Sequence, residues 1–108
     1  MSHIAAASDV FHAVSDPTRR AILDGLRSGS APVSEIAARF RVSRPAISKH
    51  LSVLRRAQLV REHRSGRQRI YALAPDRLED IAHWIESYRV FWQGNLLGLK
   101  RHLEGDPP

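Results

Sequence analysis

The chain has 108 residues, 43% of them hydrophobic and 26% charged, with no cysteine and a formal net charge of +6. These proportions are ordinary for a globular protein and exclude a disordered or collagen-like chain, while the lack of cysteine excludes disulfides, thiolate metal sites and thiol redox sensing. The length fits one domain over 1–108, and the positive charge suits a polyanionic partner such as nucleic acid.

The first part of the chain predicts two amphipathic helices. Apolar residues three or four apart mark the first, namely Ile4, Ala7, Phe11 and Val14. Asp16 supplies an N-cap and Pro17 a first helical residue for the second helix, which Gly29 ends. The amino terminus lacks the features of a secretion signal, and no apolar run approaches the roughly 18 residues that cross a bilayer. We therefore expect a cytoplasmic protein with no membrane partner.

Two shorter helices joined by a tight turn are predicted over 33–57, after a short linker at 31–33. Ser34 can cap the third helix, and Ser43 can cap the fourth, in which Pro45 is tolerated because it lies in the first turn. The fourth helix has an inward stripe at helical spacing, Ile47, Leu51 and Leu54. Its other side is polar and basic. This arrangement is typical of a helix-turn-helix, in which the second helix enters the major groove of DNA.

A β-hairpin is predicted directly after these helices, from strands at 59–63 and 68–73. Gly66 lies between them and permits the positive backbone angles of a hairpin turn. A hairpin in this position is a wing, which we place at 59–73. Its tip carries Arg64, Arg67 and Arg69, and a thin ribbon with arginines can enter a minor groove or follow phosphates. The alternative is that these arginines only keep an exposed hairpin soluble.

The C-terminal part predicts a long helix over 76–103, because apolar residues recur three or four apart from Leu78 to Leu103. Unbroken, it would be about 42 Å long, more than one side of so small a domain can cover. The helix therefore bends, near Gly94 or Gly98, or packs on a second subunit. A second apolar face favours dimerisation.

The predicted fold is mainly α with a small β-hairpin, in the order α-α-α-α-β-β-α. It is a winged helix-turn-helix that dimerises through the helices at 1–14 and 76–103. The residues expected at the dimer interface are apolar or aromatic and lie on these two helices: Ile4, Phe11, Trp84, Tyr88, Phe91, Trp92, Leu96 and Leu99. The aromatic members could instead line a ligand pocket, although aromatic residues at helical spacing more often form core or dimer contacts.

The basic residues are concentrated in the segment that contains these DNA-binding elements. Between Arg39 and Arg69 lie ten basic residues and a single acid, Glu62, whereas the rest of the chain carries seven basic and ten acidic residues. A local excess of this size is the electrostatic footprint of a nucleic-acid-binding face. The residues predicted to contact double-stranded DNA lie on the fourth helix or on the wing: Ser43, Arg44, Pro45, Ser48, Lys49, His50, Arg64, Arg67 and Arg69.

Within that set, Arg44 is the best candidate for reading a base, because only arginine offers the fork that matches guanine O6 and N7. Ser43 and Ser48 are expected to bind phosphate. His50 lies beside the inner stripe, so it is either a DNA contact or a half-buried packing residue. Ser48 and His50 point in different directions on a helix, so no catalytic pair is predicted and we expect no enzyme activity.

Several segments in order resemble the ArsR/SmtB group of bacterial repressors. They cover Ser15 to Leu73 and comprise Ser15–Arg19, Ile22–Leu23, Ser34–Ala37, Ser43–Leu51, Val53–Leu54, Leu59–Val60, Gly66–Arg67 and Tyr71–Leu73. The resemblance implies that the helix bearing Ser48–Leu51 is the recognition helix and that the hairpin is the wing. It also implies a homodimer whose first and last helices form the interface.

The chain departs from the metal-sensing members of that group. Those members are similar to one another in binding the metal through cysteines, or through an Asp-x-His pair followed by a distant His and Glu. Here two residues separate Asp80 from His83, so the Asp-x-His spacing is not met. His102 and Glu104 do not complete the later spacing, and cysteine is absent. We therefore predict no metal site and no cofactor, and any small-molecule inducer stays unidentified.

The predicted function is a homodimeric repressor that binds an imperfect inverted repeat in double-stranded DNA. One alternative is a protein-interaction scaffold that uses the winged helix as a frame and binds its partner through the aromatic C-terminal helix. Another is metal-responsive regulation through a non-standard site formed by His83 with nearby carboxylates at Glu79, Asp80 and Glu86.

Overall fold

The structure, a computed structural model, describes residues 3–94, with side chains from residue 8 onward. Its elements in chain order are α1 (His3–Val14), α2 (Pro17–Leu26), β1 (Ala31–Pro32), α3 (Val33–Ala38), α4 (Arg44–Arg56), β2 (Val60–Ser65), β3 (Gln68–Leu73), a 3-10 turn (Pro75–Arg77) and α5 (Leu78–Glu86). The described residues thus form a mainly helical structure with a small antiparallel sheet, as predicted. None of these helices is long and apolar enough to cross a membrane.

Local side-chain hydrogen bonds fix where α2 and α4 begin. The Asp16 carboxylate accepts a hydrogen bond from the backbone N–H of Arg19 at 3.0 Å, and the Ser43 hydroxyl accepts one from the backbone N–H of Ala46 at 3.3 Å. In both helices a proline follows within the first two positions, where no intrahelical N–H is needed. Both predicted caps are confirmed.

The predicted linker at 31–33 and the predicted cap Ser34 are wrong. Ala31 and Pro32 form a strand that pairs with Tyr71 and Ile70 of β3, so the sheet has three strands in the order β1-β3-β2. Because Pro32 already has extended backbone angles, it is the N-cap of α3, and no side chain caps that helix. The helix begins at Val33, which places Ser34 inside its first turn.

The hairpin forms as predicted, with a tighter turn. The strand β2 continues to Ser65, which pairs with Gln68, so only Gly66 and Arg67 form the turn. Gly66 has φ +63°, a conformation that residues with a Cβ rarely adopt. Register also sets Glu62 opposite Tyr71 and Arg64 opposite Arg69.

The core lies between the helices and the sheet, with α4 at its centre. The predicted inner stripe of α4 is confirmed, since Ile47, Leu51 and Leu54 are all completely buried. They pack with Ile22 of α2 and with Leu59 just before β2. This packing holds the opposite side of α4 outward, in a fixed direction relative to the hairpin.

The helix predicted over 76–103, with a bend near Gly94 or Gly98 as one of two alternatives, is interrupted within the described part at an earlier position. After the 3-10 turn, α5 ends at Glu86, a turn follows at 87–88, and the chain is helical again over 89–94. The Ser87 hydroxyl donates to the carbonyl of Trp84 at 2.7 Å, and serine side chains that bond to the preceding turn compete with the helical ladder. The interruption therefore lies upstream of Gly94. Gly98, the other predicted bend, lies outside the described residues.

Candidate nucleic-acid interface

The outward side of α4 presents the predicted helix contacts to solvent. Ser43, Arg44, Pro45, Ser48 and Lys49 are all exposed, and they occupy the first two turns of the helix. The N-terminal half of a recognition helix is the part that reaches base edges in a major groove. The structure therefore places five of the nine predicted DNA contacts on one accessible surface.

The wing tip brings further basic side chains beside the start of α4. Arg44, Arg67 and Arg69 line a common cleft of about 90 Å³, which Pro32, Val33, Ser34 and Gln68 complete. No acidic side chain lines this cleft. Residues more than twenty positions apart in sequence thus form one basic surface. Arg64 lies on the neighbouring strand, opposite Arg69. A surface of this charge attracts the phosphates of a duplex.

One acidic residue, Glu62 on β2, lies at the base of the wing and binds three groups. Its Oε2 atom accepts hydrogen bonds from Arg55 Nη1 at 2.9 Å, Arg69 Nη2 at 2.8 Å and the Tyr71 hydroxyl at 2.6 Å. The hydrogen bonds from Arg69 and Tyr71 lower the pKa of the Glu62 carboxyl to about 2. Burial, followed by the hydrogen bond to Glu62, raises the pKa of Tyr71. Sequence reasoning missed this cluster, although Glu62 was visible as the lone acid of the basic segment.

A second cluster surrounds His50, and its centre is the buried residue Arg19, which sequence reasoning also missed. The Arg19 guanidinium donates from Nε to the carbonyl of Ala13 at 2.7 Å and from Nη2 to the carbonyl of His12 at 3.0 Å. Its Nη1 lies 3.2 Å from His50 Nδ1. Since a guanidinium only donates, a hydrogen bond between these two groups uses His50 Nδ1 as the acceptor.

The position of Arg19 could have been predicted from helical spacing. Arg19 stands three, four and seven residues before Ile22, Leu23 and Leu26, which are all buried, so it belongs to the inward stripe of α2. The Asp16 carboxylate completes the cluster at 3.9 Å from His50 Nδ1. The hydrogen bond from the backbone N–H of Arg19 lowers the pKa of Asp16. His50 is thus half-buried and engaged within the chain.

The predicted dimer residues on α1, on α5 and in the segment 87–94 form a largely exposed aromatic face. Phe11 packs edge-on against Trp84 with ring centroids 5.5 Å apart, and Trp84 packs on Tyr88 at 5.3 Å. Trp84 is 54% exposed and Phe91 is 67% exposed, and Trp92 is also exposed. Of the other predicted dimer residues, Leu96 and Leu99 lie outside the described residues, as does the side chain of Ile4.

Two further candidate sites, the predicted metal site and an apolar groove, also lie within residues 3–94. Glu79, Asp80, His83 and Glu86 line a surface depression, but no three metal-ligating side chains come together in the described part of the chain. A groove of about 520 Å³ lies elsewhere, between α2 and α5, and its apolar lining includes Leu23, Leu73, Leu78 and Ile81. The aromatic residues predicted as an alternative ligand pocket do not line this groove.

The sequence is similar to known transcriptional regulators. Residues 14–63 match the family model described as a helix-turn-helix domain. The chain is 41% identical over 81 residues to the transcriptional repressor SdpR of Bacillus subtilis, covering 75% of this chain and 90% of SdpR. It is 35% identical over 106 residues to the HTH-type transcriptional regulator Rv2034 of Mycobacterium tuberculosis, covering 98% and 96% of the two chains. It is also 37% identical over 76 residues to the M. tuberculosis repressor SmtB, covering 70% of this chain and 56% of SmtB.

Solved structures of transcriptional regulators are also similar to this chain. The chain superimposes on the ArsR family transcriptional regulator RHA00566 with a TM-score of 0.76 and 32% identity, covering 85% of this chain and 95% of that one. The chain belongs to the ArsR/SmtB family. A second ArsR-like regulator, from Rhodococcus sp. RHA1, matches with a TM-score of 0.69 and 35% identity over 91% and 92% of the two chains.

As an ArsR/SmtB protein, the chain is a DNA-binding transcriptional regulator, and its family is one of regulators rather than enzymes. The winged helix-turn-helix predicted from the sequence is confirmed. The match to the helix-turn-helix domain, over residues 14–63, includes α4 and the first part of the hairpin formed by β2 and β3. The basic surface described above lies on those two elements.

Proposed function

We propose that the protein is a homodimeric repressor that binds an imperfect inverted repeat in double-stranded DNA. Two copies of α4 would enter successive major grooves about 34 Å apart. The observation that carries this proposal is the continuous basic surface formed by α4 and the wing, in which Arg44 and Arg67 line one cleft.

The exposed residues divide into base-reading and phosphate-binding roles. Arg44 is proposed to read guanine in the major groove, with Lys49 beside it as a base or phosphate contact. Ser43, Pro45 and Ser48 would lie against the sugar–phosphate backbone at the entry of α4. Arg64 and Arg67 are proposed to bind the backbone or the minor groove next to that half-site.

The other two predicted contacts, His50 and Arg69, already have partners within the chain. His50 can reach DNA only through its free Nε2 edge, because Nδ1 faces Arg19. Arg69 holds Glu62 at 2.8 Å. We propose that both act at the DNA surface mainly by fixing their neighbours.

Dimerisation is proposed to occur through the aromatic face. Soluble monomers rarely expose large contiguous apolar patches, and such patches commonly mark interaction surfaces. Phe11, Trp84, Tyr88 and Phe91 form a chain of ring contacts on this face, and Val90 is exposed beside them. Ile4, Trp92, Leu96 and Leu99 would extend the same interface.

Binding to the DNA that flanks the protein's own gene tests the proposal. Footprinting should protect two half-sites, and the affinity should fall about 10³- to 10⁵-fold between 50 and 200 mM salt if roughly six to ten phosphates are neutralised. Arg44→Gln should relax base preference at one position of each half-site, whereas Arg67→Gln should weaken binding on all sequences alike. Arg27→Gln, an exposed arginine at the end of α2, is the matched control and should change neither.

Two outcomes would favour the alternatives. A scaffold would keep its partner when Arg44, Lys49, Arg64 and Arg67 are neutralised together, whereas the repressor would lose DNA. A metal-responsive regulator would change its DNA affinity when zinc is added to metal-free protein. The proposed repressor should do neither.

A further inference from the structure

Glu62, the single acid between Arg39 and Arg69, forms hydrogen bonds that connect the wing to the recognition helix. Glu62 lies on β2, and the three donors on its Oε2 come from α4 and β3. Arg55 belongs to the last turns of α4, so this carboxylate is a direct polar link between the recognition helix and the wing. The Glu62 side chain is only 17% exposed.

We propose that Glu62 is a positioning residue for DNA specificity: it fixes the wing against α4 and withholds Arg55 and Arg69 from indiscriminate phosphate binding. This inference rests on the proposed function, in which α4 and the wing contact DNA together. Glu62 lowers the affinity for random duplex and thereby raises the ratio of specific to non-specific binding.

The two arginines that bind Glu62 are otherwise available to DNA. The Arg55 and Arg69 side chains are 56% and 46% exposed, so both remain at the surface while their guanidinium groups are engaged. Non-specific affinity depends on the number of phosphates neutralised, with a salt slope of about −0.9 for each. Two released arginines in each subunit would therefore add contacts on any sequence.

The hairpin register shows why the wing needs this acid. Arg64 and Arg69 are directly opposite each other on the two strands, and like charges in that position repel. Glu62 sits opposite Tyr71 on the same face, and its carboxylate binds Arg69 at 2.8 Å and Arg55 of α4 at 2.9 Å. Among the described residues, Arg64 and Arg67 form no ion pair, so they stay free for the duplex.

The test compares Glu62→Gln with Glu35→Gln, measured by fluorescence anisotropy on random duplex and on the footprinted fragment from 50 to 200 mM salt. Glu35 forms an exposed ion pair with Arg39 at 3.0 Å on α3, so its variant removes the same charge away from the wing. Glu62→Gln should raise affinity for random duplex about 3- to 10-fold and steepen its salt slope by about 1 to 4 per dimer, because each new phosphate contact adds about 0.9. Glu35→Gln should change the affinity less than 2-fold.

A triple variant separates released arginines from a general charge effect. Replacing Arg55 and Arg69 by Gln in the Glu62→Gln background should cancel the gain on random duplex, since the added contacts are then missing. A gain that persists in the triple variant, or a Glu62→Gln effect equal to that of Glu35→Gln, overturns the inference. So does a Glu62→Gln protein that does not fold, because Glu62 would then be required for structure rather than for specificity.

The proposed function has its own separate outcome. If the wild-type protein binds neither the random duplex nor the footprinted fragment in a salt-dependent way, the proposed DNA-contacting surface is contradicted. The proposed role of Glu62, which depends on that surface, is then contradicted as well. If the wild type footprints two half-sites while Glu62→Gln behaves like its control, only the role of Glu62 is wrong.

Discussion

Arg19 joins three parts of the molecule through a single side chain. It caps the last carbonyls of α1, belongs to the buried stripe of α2 and contacts His50 of α4. A buried guanidinium is stable only when its donors are bonded, and here the fork geometry supplies three different partners. The residue therefore fixes the angle between the helix proposed for dimerisation and the recognition helix.

Arg19→Lys tests this role because it keeps the charge and removes the fork. A lysine amine cannot reach both carbonyls and His50 together, so at least one buried acceptor loses its bond, and we expect a loss of about 2–3 kcal/mol in the free energy of unfolding. The control is Arg20→Lys, since exposed Arg20 makes one bond to the carbonyl of Val14. Urea denaturation measures both variants. Equal, small changes in the two would show that the fork of Arg19 is dispensable.

Glu62 also predicts a pH dependence of stability. Its folded-state pKa of about 2 lies below the ordinary value of 4.5, so its stabilising effect is complete above pH 4.5 and disappears as the pH falls through 2. Because its arginine partners are about half exposed, we expect a contribution of about 1–2 kcal/mol rather than the full linkage value. Urea denaturation of wild type and Glu62→Gln should give a gap at pH 7 that closes between pH 4.5 and pH 2. A gap independent of pH would contradict the assignment.

Among the elements, those set by local chemistry are the ones that the sequence predicts well. Asp16 and Ser43 cap α2 and α4 by bonding to backbone groups three residues away. The pattern that predicts the start of each helix therefore lies within four adjacent residues. Ala31 and Pro32 carry no such signal, because their strand exists only through pairing with β3, about forty residues later. The same long-range pairing moves the start of α3 off Ser34.

The residues of the candidate site also differ in whether local sequence or long-range packing determines their position. Exposure of Arg44 and Lys49 follows from the stripe of α4, which a helical period reveals. The Glu62 cluster depends on the hairpin register and on the packing of α4 against β2, neither of which is written in neighbouring residues. The turn at 87–88 depends on Ser87 bonding to Trp84, a choice between two local alternatives that apolar spacing alone does not resolve.

The wing provides a test at this scale, because its turn requires a positive φ at Gly66. Gly66→Ala should destabilise the protein by about 1–2 kcal/mol, since a Cβ is disfavoured in the left-handed region. Gly66→Asn should lose less, as asparagine tolerates that region. Gly94→Ala is the control, because Gly94 is helical and has open space around its Cβ position. Thermal unfolding ranks the three variants, and a Gly66→Ala protein as stable as Gly94→Ala would show that the turn can change type.

At the scale of the whole molecule, the two surfaces proposed for DNA and for the second subunit lie on different elements. The basic surface belongs to α4 and the hairpin. The aromatic face belongs to α1 and α5, which contact each other, and to the segment 87–94. Arg19 connects the two through α1 and His50. A dimer built on the aromatic face would therefore set the spacing of two recognition helices without covering either.

Phe91→Glu tests this arrangement by placing a charge on the 67% exposed ring at the end of the aromatic chain. Burial of an unpaired carboxylate at an interface is costly, so the variant should sediment as a monomer at concentrations where wild type is a dimer. Because linking two half-site contacts multiplies affinity by about 10²- to 10⁴-fold, the monomer should lose that factor on the inverted repeat and keep wild-type affinity for a single half-site. Ala21→Glu places the same charge on an exposed position of α2 and should leave assembly and binding intact. A Phe91→Glu protein that remains dimeric would move the interface away from the aromatic face, while leaving the basic surface of α4 and the wing unaffected.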